Sequence, residues 1–429
     1  MRRIGIIGGG ASGIAAAITA ARCDRQAQVF ILEQKEKIGR KLLATGNGRC
    51  NLTNRQAVDS QAKACYRGEN IRFVKEVLRA FSYEDTLKFF DSIGLVVKLR
   101  GDYAYPRSDQ ALTVLELLEL ELKRLSVEVY CNVRVASAAW EGKNFCIRTQ
   151  EAAKTFQADR LILACGGQAA SSLGSDGSGY GLAKALGHSI TCIVPALVQL
   201  KVKAHPFAKA AGVRTQAKVT ALIDGKEAAS DTGEVQITAY GISGIPVFQI
   251  SRFIALGLHQ KKRSEVLLDL LPEYSKDEAY RLLAKIGDKR ADLTAKEWLT
   301  GIFNQKLVPR ILEMAGVKMQ ARVGKLSESQ LQTVAKKCKQ IVLTIQDTNG
   351  FENAQVCAGG VRTKEVCPQT MESLRTKGVY LTGELLDVEG ICGGFNLQWA
   401  WSTGCIAGKE AVMREGHERA QRGKPKTLY

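Results

Sequence analysis

The chain has 429 residues, room for two or three domains, and its 45% hydrophobic content excludes intrinsic disorder as a starting expectation. The 61 Lys and Arg against 43 Asp and Glu leave a formal charge of +18, which attracts polyanions and anionic cofactors unless it is only a solvated surface. Its 12 cysteines include no C-x-x-C pair and its 4 histidines are far apart, which disfavours zinc ribbons, thioredoxin-like sites and metal centres.

Ile4 to Ile7 reads as a short buried parallel strand. Gly8, Gly10 and Gly13 follow as G-x-G-x-x-G, and Ile14 to Ala21 continues as a small-residue helix. Val29 to Leu32 is the next strand and ends at Glu33. In such a unit the first glycine makes the tight turn and the second lets the backbone approach a pyrophosphate. The third allows close helix–strand packing, and the helix N-terminus faces the phosphate charge. Glu33 stands at the distance where an acid accepts from ribose hydroxyls. The pattern therefore predicts a dinucleotide site. Arg2 and Arg3 ahead of an apolar stretch imitate a secretory leader, but three glycines and a completed βαβ unit argue against one. No run of about 18 apolar residues occurs, so a cytoplasmic protein without a membrane span is expected.

The polar loop Gly39 to Asn54, GRKLLATGNGRCNLTN, is too long for a simple connection. Helical patterns run over 69–94 and 109–125, and alternating segments over 127–136 and 145–149 suggest a small antiparallel sheet. Leu161 to Cys165 is a buried strand leading into Gly166-Gly167. Beyond Gly187-His188 the character changes: 197–250 alternates around an Asp224-Gly225 turn, which favours hairpins. Residues 274–339 read as a charged helical bundle broken at Gly287, Pro309 and Gly316, and Ile341 to Ile345 returns to strand. Residues 378–408 read strand, glycine loop, helix. Nucleotide-binding character at both ends predicts an α/β fold with a discontinuous Rossmann-like domain, 1–194 plus 355–429. The insert, 195–354, is β-rich over 195–272 and 340–354 and helical over 273–339. Basic runs at Lys261–Arg263, Lys336–Lys339 and Arg419–Lys426 carry no interleaved aromatics for stacking single strands.

Gly393-Gly394 precedes a helix for which Asn396 is the expected N-cap. A helix that starts at a bare glycine loop offers free N–H groups and a positive dipole end. Such an end would stabilise the negative charge that a reduced flavin carries at its N1–C2 carbonyl edge. The competing reading is a turn that serves packing only.

GRKLLATGNGRCNLTN, GYGLAKALGH, YGISGIP, PQTMES and GELLDVEGICGGFNLQWAWSTG together resemble the HI0933-like (BaiN/YhiN-type) FAD-dependent oxidoreductases. The resemblance covers most of the chain outside the helical insert. It implies a two-part FAD domain carrying a β-barrel-like and helical insert, with NAD(P)H as transient reductant. Carried over, Gly8, Gly10, Ser12 and Gly13 would hold the pyrophosphate and Glu33 the adenosine ribose. Lys41, Arg49, Cys50 and Asn51 would line the cofactor, and Val133 and Gly166 would flank its adenine half. Asp387, Gly394, Asn396 and Leu397 would reach ribitol and isoalloxazine. Ala11, Gln34, Arg40, Ala164, Cys165, Gly383, Glu384 and Gly393 complete the expected cofactor set. Two departures stand out. Gln168-Ala169-Ala170 replaces a frequent Ser-Tyr-Pro, and Ala239 replaces a frequent histidine before YGISGIP.

Only one dinucleotide fingerprint is present, without a redox cysteine pair, so NAD(P)H would bind transiently at the flavin face. The family is associated with conjugate reduction of uridine in ribosomal RNA and of unsaturated oxo-bile acids. Both need a proton donor and groups that polarise the conjugated carbonyl. The +18 charge makes ribosomal RNA the leading expected partner, with a small-molecule enone of the bile-acid or steroid class as the alternative. An amine oxidase and a flavin-containing RNA-binding factor remain as further readings. Cys50 and Cys392 are candidate proton donors, each weighed against a packed, inert thiol. Arg49 is the candidate carbonyl or phosphate partner, and Arg362 shares that role or is simply solvated.

Overall fold

The computed structural model describes residues 2–150 and 154–413. The basic tail Arg419–Lys426 lies outside the described residues. The chain divides into two units, Met1–Ile193 with Val356–Tyr429, and Val194–Gln355.

At the centre of the first unit, β1 (Arg3–Ile7) is followed by α1 (Ala11–Cys23) and β2 (Gln28–Leu32). With β3 (Glu128–Tyr130), β4 (Arg160–Leu163) and β5 (Val379–Leu381) they build a five-stranded sheet in the order β5-β4-β1-β2-β3. Every pairing is parallel. The runs Ile4–Ile7, Val29–Leu32 and Leu161–Leu163 are buried on both faces, as a covered parallel sheet requires. Ile7 pairs with both Leu32 and Leu163, so the carboxyl ends of β1, β2 and β4 stand level. The strand order departs in both directions from β1, which opens a crevice at its carboxyl end.

α2 (Phe395–Val412) lies directly on α1. A Cβ on Gly404 would stand 2.3 Å from the Ser12 carbonyl oxygen, and one on Gly408 would stand 2.2 Å from that of Ala16. The two backbones therefore touch, and no larger residue fits at either position. From Ser12 to Ala21 every residue of α1 is buried. The N-terminal and C-terminal segments thus share one helix–helix seam.

The expected helix over 69–94 is two helices, Ile71–Ala80 and Tyr83–Asp91, because Ser82 starts the second with a capping box to Asp85. The alternating stretch 127–136 divides: β3 joins the parallel sheet, while Val135–Trp140 pairs antiparallel with Phe145–Thr149, whose other edge pairs antiparallel with Thr155–Ala158. His188 ties two sequence motifs together. Its Nε2 lies 2.8 Å from Ser373 Oγ, and the Ser189 N–H donates to Glu365 at 2.8 Å.

In the second unit six strands close a barrel: Leu200–Val202, Gly241–Ser243, Lys226–Ile237, Arg214–Ile223, Ser264–Asp269 and Ile341–Thr348. Asp224 and Gly225, both at positive φ, form the two-residue hairpin that the sequence pattern predicts. The strand pattern expected up to residue 250 stops early, since Pro246 sits in the first turn of helix Ile245–His259. Helices Lys276–Lys289, Ala295–Thr300, Val308–Met314 and Glu328–Lys339 form the expected helical part. Gly287 does not break its helix; a Cβ there would meet Val323 at 2.9 Å, so it serves close packing. Pro309 opens a helix rather than ending one.

Gly408→Val forces a branched side chain into the α1–α2 seam. It should destabilise the first unit by about 1–3 kcal/mol, read as a lower Tm in thermal unfolding.

Candidate functional site

Gly8 has φ 108°, and a Cβ there would stand 2.3 Å from the Ala164 carbonyl oxygen. Gly13 is tighter, with its would-be Cβ 2.0 Å from the Gly8 carbonyl oxygen. Around Gly10 nothing approaches within 4 Å, so its missing side chain faces open space. That residue is also the N-cap of α1 and supplies no side-chain cap. The first-turn N–H groups at Ala11, Ser12 and Gly13 meet a dipole end with room in front of it.

Glu33 closes this crevice at the end of β2. Its Oε2 accepts from the Gly9 N–H and its Oε1 from the Lys35 N–H, both at 2.8 Å. Burial pushes its carboxyl above the usual range, although these backbone donors oppose the shift. The Val133 N–H donates to the Glu33 carbonyl at 2.9 Å. Gln34 donates to the Gly174 carbonyl and accepts from Arg134, which pairs with Asp176 at 2.7 Å. On the other side of β1, the Ala164 N–H donates to the Ile7 carbonyl, and the Cys165 thiol lies 3.4 Å from the same oxygen. Gly166 has φ 72° and leaves space for Ser175.

A second cluster joins distant segments. Lys41 Nζ pairs with Glu384 Oε2 at 2.7 Å, while Glu384 Oε1 accepts from the Cys357 N–H at 2.8 Å. Gly383 donates to Thr403 Oγ1, and a Cβ on it would stand 2.8 Å from Ser12 Oγ. Asp387 is buried. Arg40 turns to Glu36, four residues earlier, rather than joining this cluster. Tyr180 sits beside Cys357, Glu384 and Asp387, and burial pushes its phenol upward. Its hydroxyl is buried and has no hydrogen-bond partner among the described residues. The GYGLAKALGH motif contains this tyrosine, yet nothing in the spacing singles it out.

Gly393 and Gly394 have φ 126° and 93°. Gly394, not Asn396, is the N-cap of α2, and it provides no side-chain cap. Asn396 lies inside the first turn, where its amide bonds both the N–H and the carbonyl of Gly390. The loop 45–54 reaches this helix start. Asn54 donates to the Gly393 carbonyl at 2.9 Å, and Trp401 donates to the Leu52 carbonyl at 3.0 Å. A Cβ on Gly394 would stand 2.9 Å from Asn51 Oδ1, which is buried and has no hydrogen-bond partner among the described residues. Leu397 is half-buried.

The three expected catalytic groups differ in access. Cys50 is completely buried, and burial pushes its thiol up to about 12. Cys392 is half-buried next to Gly393, and Arg49 is exposed. Arg362 is committed to Glu69 at 2.7 Å. Among the described residues no three metal-ligating side chains cluster, and no helix is long and apolar enough to cross a membrane.

The family model described as "HI0933-like protein Rossmann domain" matches residues 2–410. The chain belongs to this family. A 3-dehydro-bile acid delta(4,6)-reductase of Clostridium scindens is 60% identical over 414 residues, spanning 96% of this chain and 100% of that protein. A ribosomal RNA dihydrouridine synthase of Haemophilus influenzae is 28% identical over 402 residues, spanning 93% and 95%. Among solved structures, the 3-ketosteroid-delta4-(5alpha)-dehydrogenase of Rhodococcus jostii has a TM-score of 0.52 at 14% identity, covering 96% of this chain and 97% of that one. At that identity the likeness concerns the fold alone.

Because its Cβ meets nothing, Gly10→Val should leave the thermal midpoint of the ligand-free protein unchanged. It should abolish dinucleotide retention, measured as bound FAD per chain after gel filtration.

Proposed function

We propose that this protein is an FAD-dependent reductase of a conjugated carbon–carbon double bond in an unsaturated oxo-bile acid. The observation that carries the reading is the 60% identity, over 414 residues, to the bile-acid reductase of Clostridium scindens. The sequence alone favours ribosomal RNA through its charge, but the relatives named for that activity are 28% and 26% identical. Net charge reports attraction to anions in general and does not choose between them.

The residues present fit FAD. Gly10 and the first turn of α1 would hold the pyrophosphate, Glu33 and Val133 the adenosine end, and Lys41 with Glu384 the middle. The uncapped start of α2 at Gly394, with Asn51 beside it, would meet the isoalloxazine. When bound, FAD supplies hydride chemistry, with NAD(P)H as the reductant in this proposal. The chain supplies orientation, exclusion of water and a proton. Cys392 is the more accessible of the two candidate thiols; Cys50 is enclosed.

The test is anaerobic. The protein is reduced with NAD(P)H, then offered an unsaturated 3-oxo-bile acid or a ribosomal RNA fragment while flavin absorbance is followed. Reoxidation by the bile acid alone is expected. Reoxidation by the RNA alone overturns the reading.

A further inference from the structure

The strands Val97–Arg100 and Tyr103–Pro106 form a hairpin joined at its edge by Thr53–Asn54. Its register pairs Arg100 with Tyr103 and Lys98 with Tyr105, while Asn54 lies opposite Tyr103. Cross-strand partners share a face and successive residues alternate, so Lys98, Arg100, Tyr103, Tyr105 and Asn54 all stand on one face. That face looks toward the glycine loop. A Cβ on Gly393 would meet the Tyr103 ring at 3.0 Å, and Asn54 donates to the Gly393 carbonyl.

The face is aromatic and cationic together. Tyr103 is 43% exposed, although a tyrosine ring on a sheet normally packs against something. The Arg100 guanidinium lies over the Tyr105 ring at 5.3 Å. Asp109 is the acid of this corner, and both Lys98 and Arg100 are bound to it. Asp102 is engaged by Gln56. The Arg49 N–H donates to the Gly46 carbonyl at 3.2 Å, and a Cβ on Gly46 would stand 3.7 Å from the Tyr105 ring, so Arg49 lies at this corner; it is exposed and has no ion-pair partner among the described residues. Two cations already answer one carboxylate, so Arg49 is surplus positive charge at the corner that holds Tyr105.

We propose that this face is the substrate wall, with Tyr103 against the steroid rings and Arg49 paired with the carboxylate tail of the bile acid. The inference rests on the reductase reading and deepens it by assigning the two ends of the ligand. A flat, apolar ring system suits the exposed tyrosine, and a carboxylate suits the uncommitted guanidinium of Arg49.

The test compares an unsaturated 3-oxo-bile acid with its methyl ester on the FAD-loaded enzyme. Both steady-state rates and equilibrium binding, followed by flavin spectral perturbation, are recorded for wild type, Arg49→Ala and Arg49→Lys. Wild type should prefer the acid. Arg49→Ala should cut that acid-to-ester preference about tenfold, mainly through KM, which corresponds to about 1.4 kcal/mol. Arg49→Lys should keep part of it. The preference should also weaken with added salt in wild type but not in Arg49→Ala. Turnover of both compounds with an unchanged ratio in Arg49→Ala overturns the wall and leaves the reductase reading standing. Arg49-dependent binding of the acid without turnover supports the wall and overturns the reductase reading.

Discussion

The contact that organises the cofactor-binding unit is the backbone seam between α1 and α2. Carbonyls of Ser12 and Ala16 press against Gly404 and Gly408 at distances that admit no side chain. One helix begins at Gly10 and the other at Gly394, and neither start is capped by a side chain. Gly404 lies ten residues past Gly394, about 15 Å along the axis, whereas Ser12 is in the first turn of α1. The crossing therefore holds two uncapped helix ends at separate places along one crevice. In the proposed reading an extended dinucleotide would meet both ends, and the seam would let segments nearly 400 residues apart serve one ligand.

Legibility in the sequence followed how local each cause is. The βαβ unit was readable because strand, glycines, helix and acid occur within the first 33 residues, each with its own physical reason. The Asp224-Gly225 hairpin was readable for the same reason. What failed was punctuation whose meaning depends on tertiary context. Gly287 looks like a break but makes room for Val323, and Pro309 begins a helix instead of stopping one. Asn396 has the right residue type for a cap, but Gly394 in a left-handed conformation takes the position and frees the amide for Gly390. Tyr103 and Tyr180 escaped notice because a lone tyrosine carries no spacing signal; only its neighbours give it meaning.

Charge illustrates the same limit. A surplus of 18 positive charges is visible at once, yet it says little about any partner until the acids that cancel it locally are known. At the hairpin face Asp109 absorbs Lys98 and Arg100, while Arg49 has no ion-pair partner among the described residues. Cysteine number misleads in a similar way. None of the 12 cysteines is in a disulfide, 6 are buried, and Cys50, in the polar loop Gly39–Asn54, is completely buried.

The central claim is that both glycine loops enclose one flavin dinucleotide. Hydrogen exchange of the protein with and without FAD, read peptide by peptide, tests it most directly. Slowed exchange is expected at 8–13 and at 393–398 together, saturating at one FAD per chain. Protection confined to the first of these segments would contradict the account.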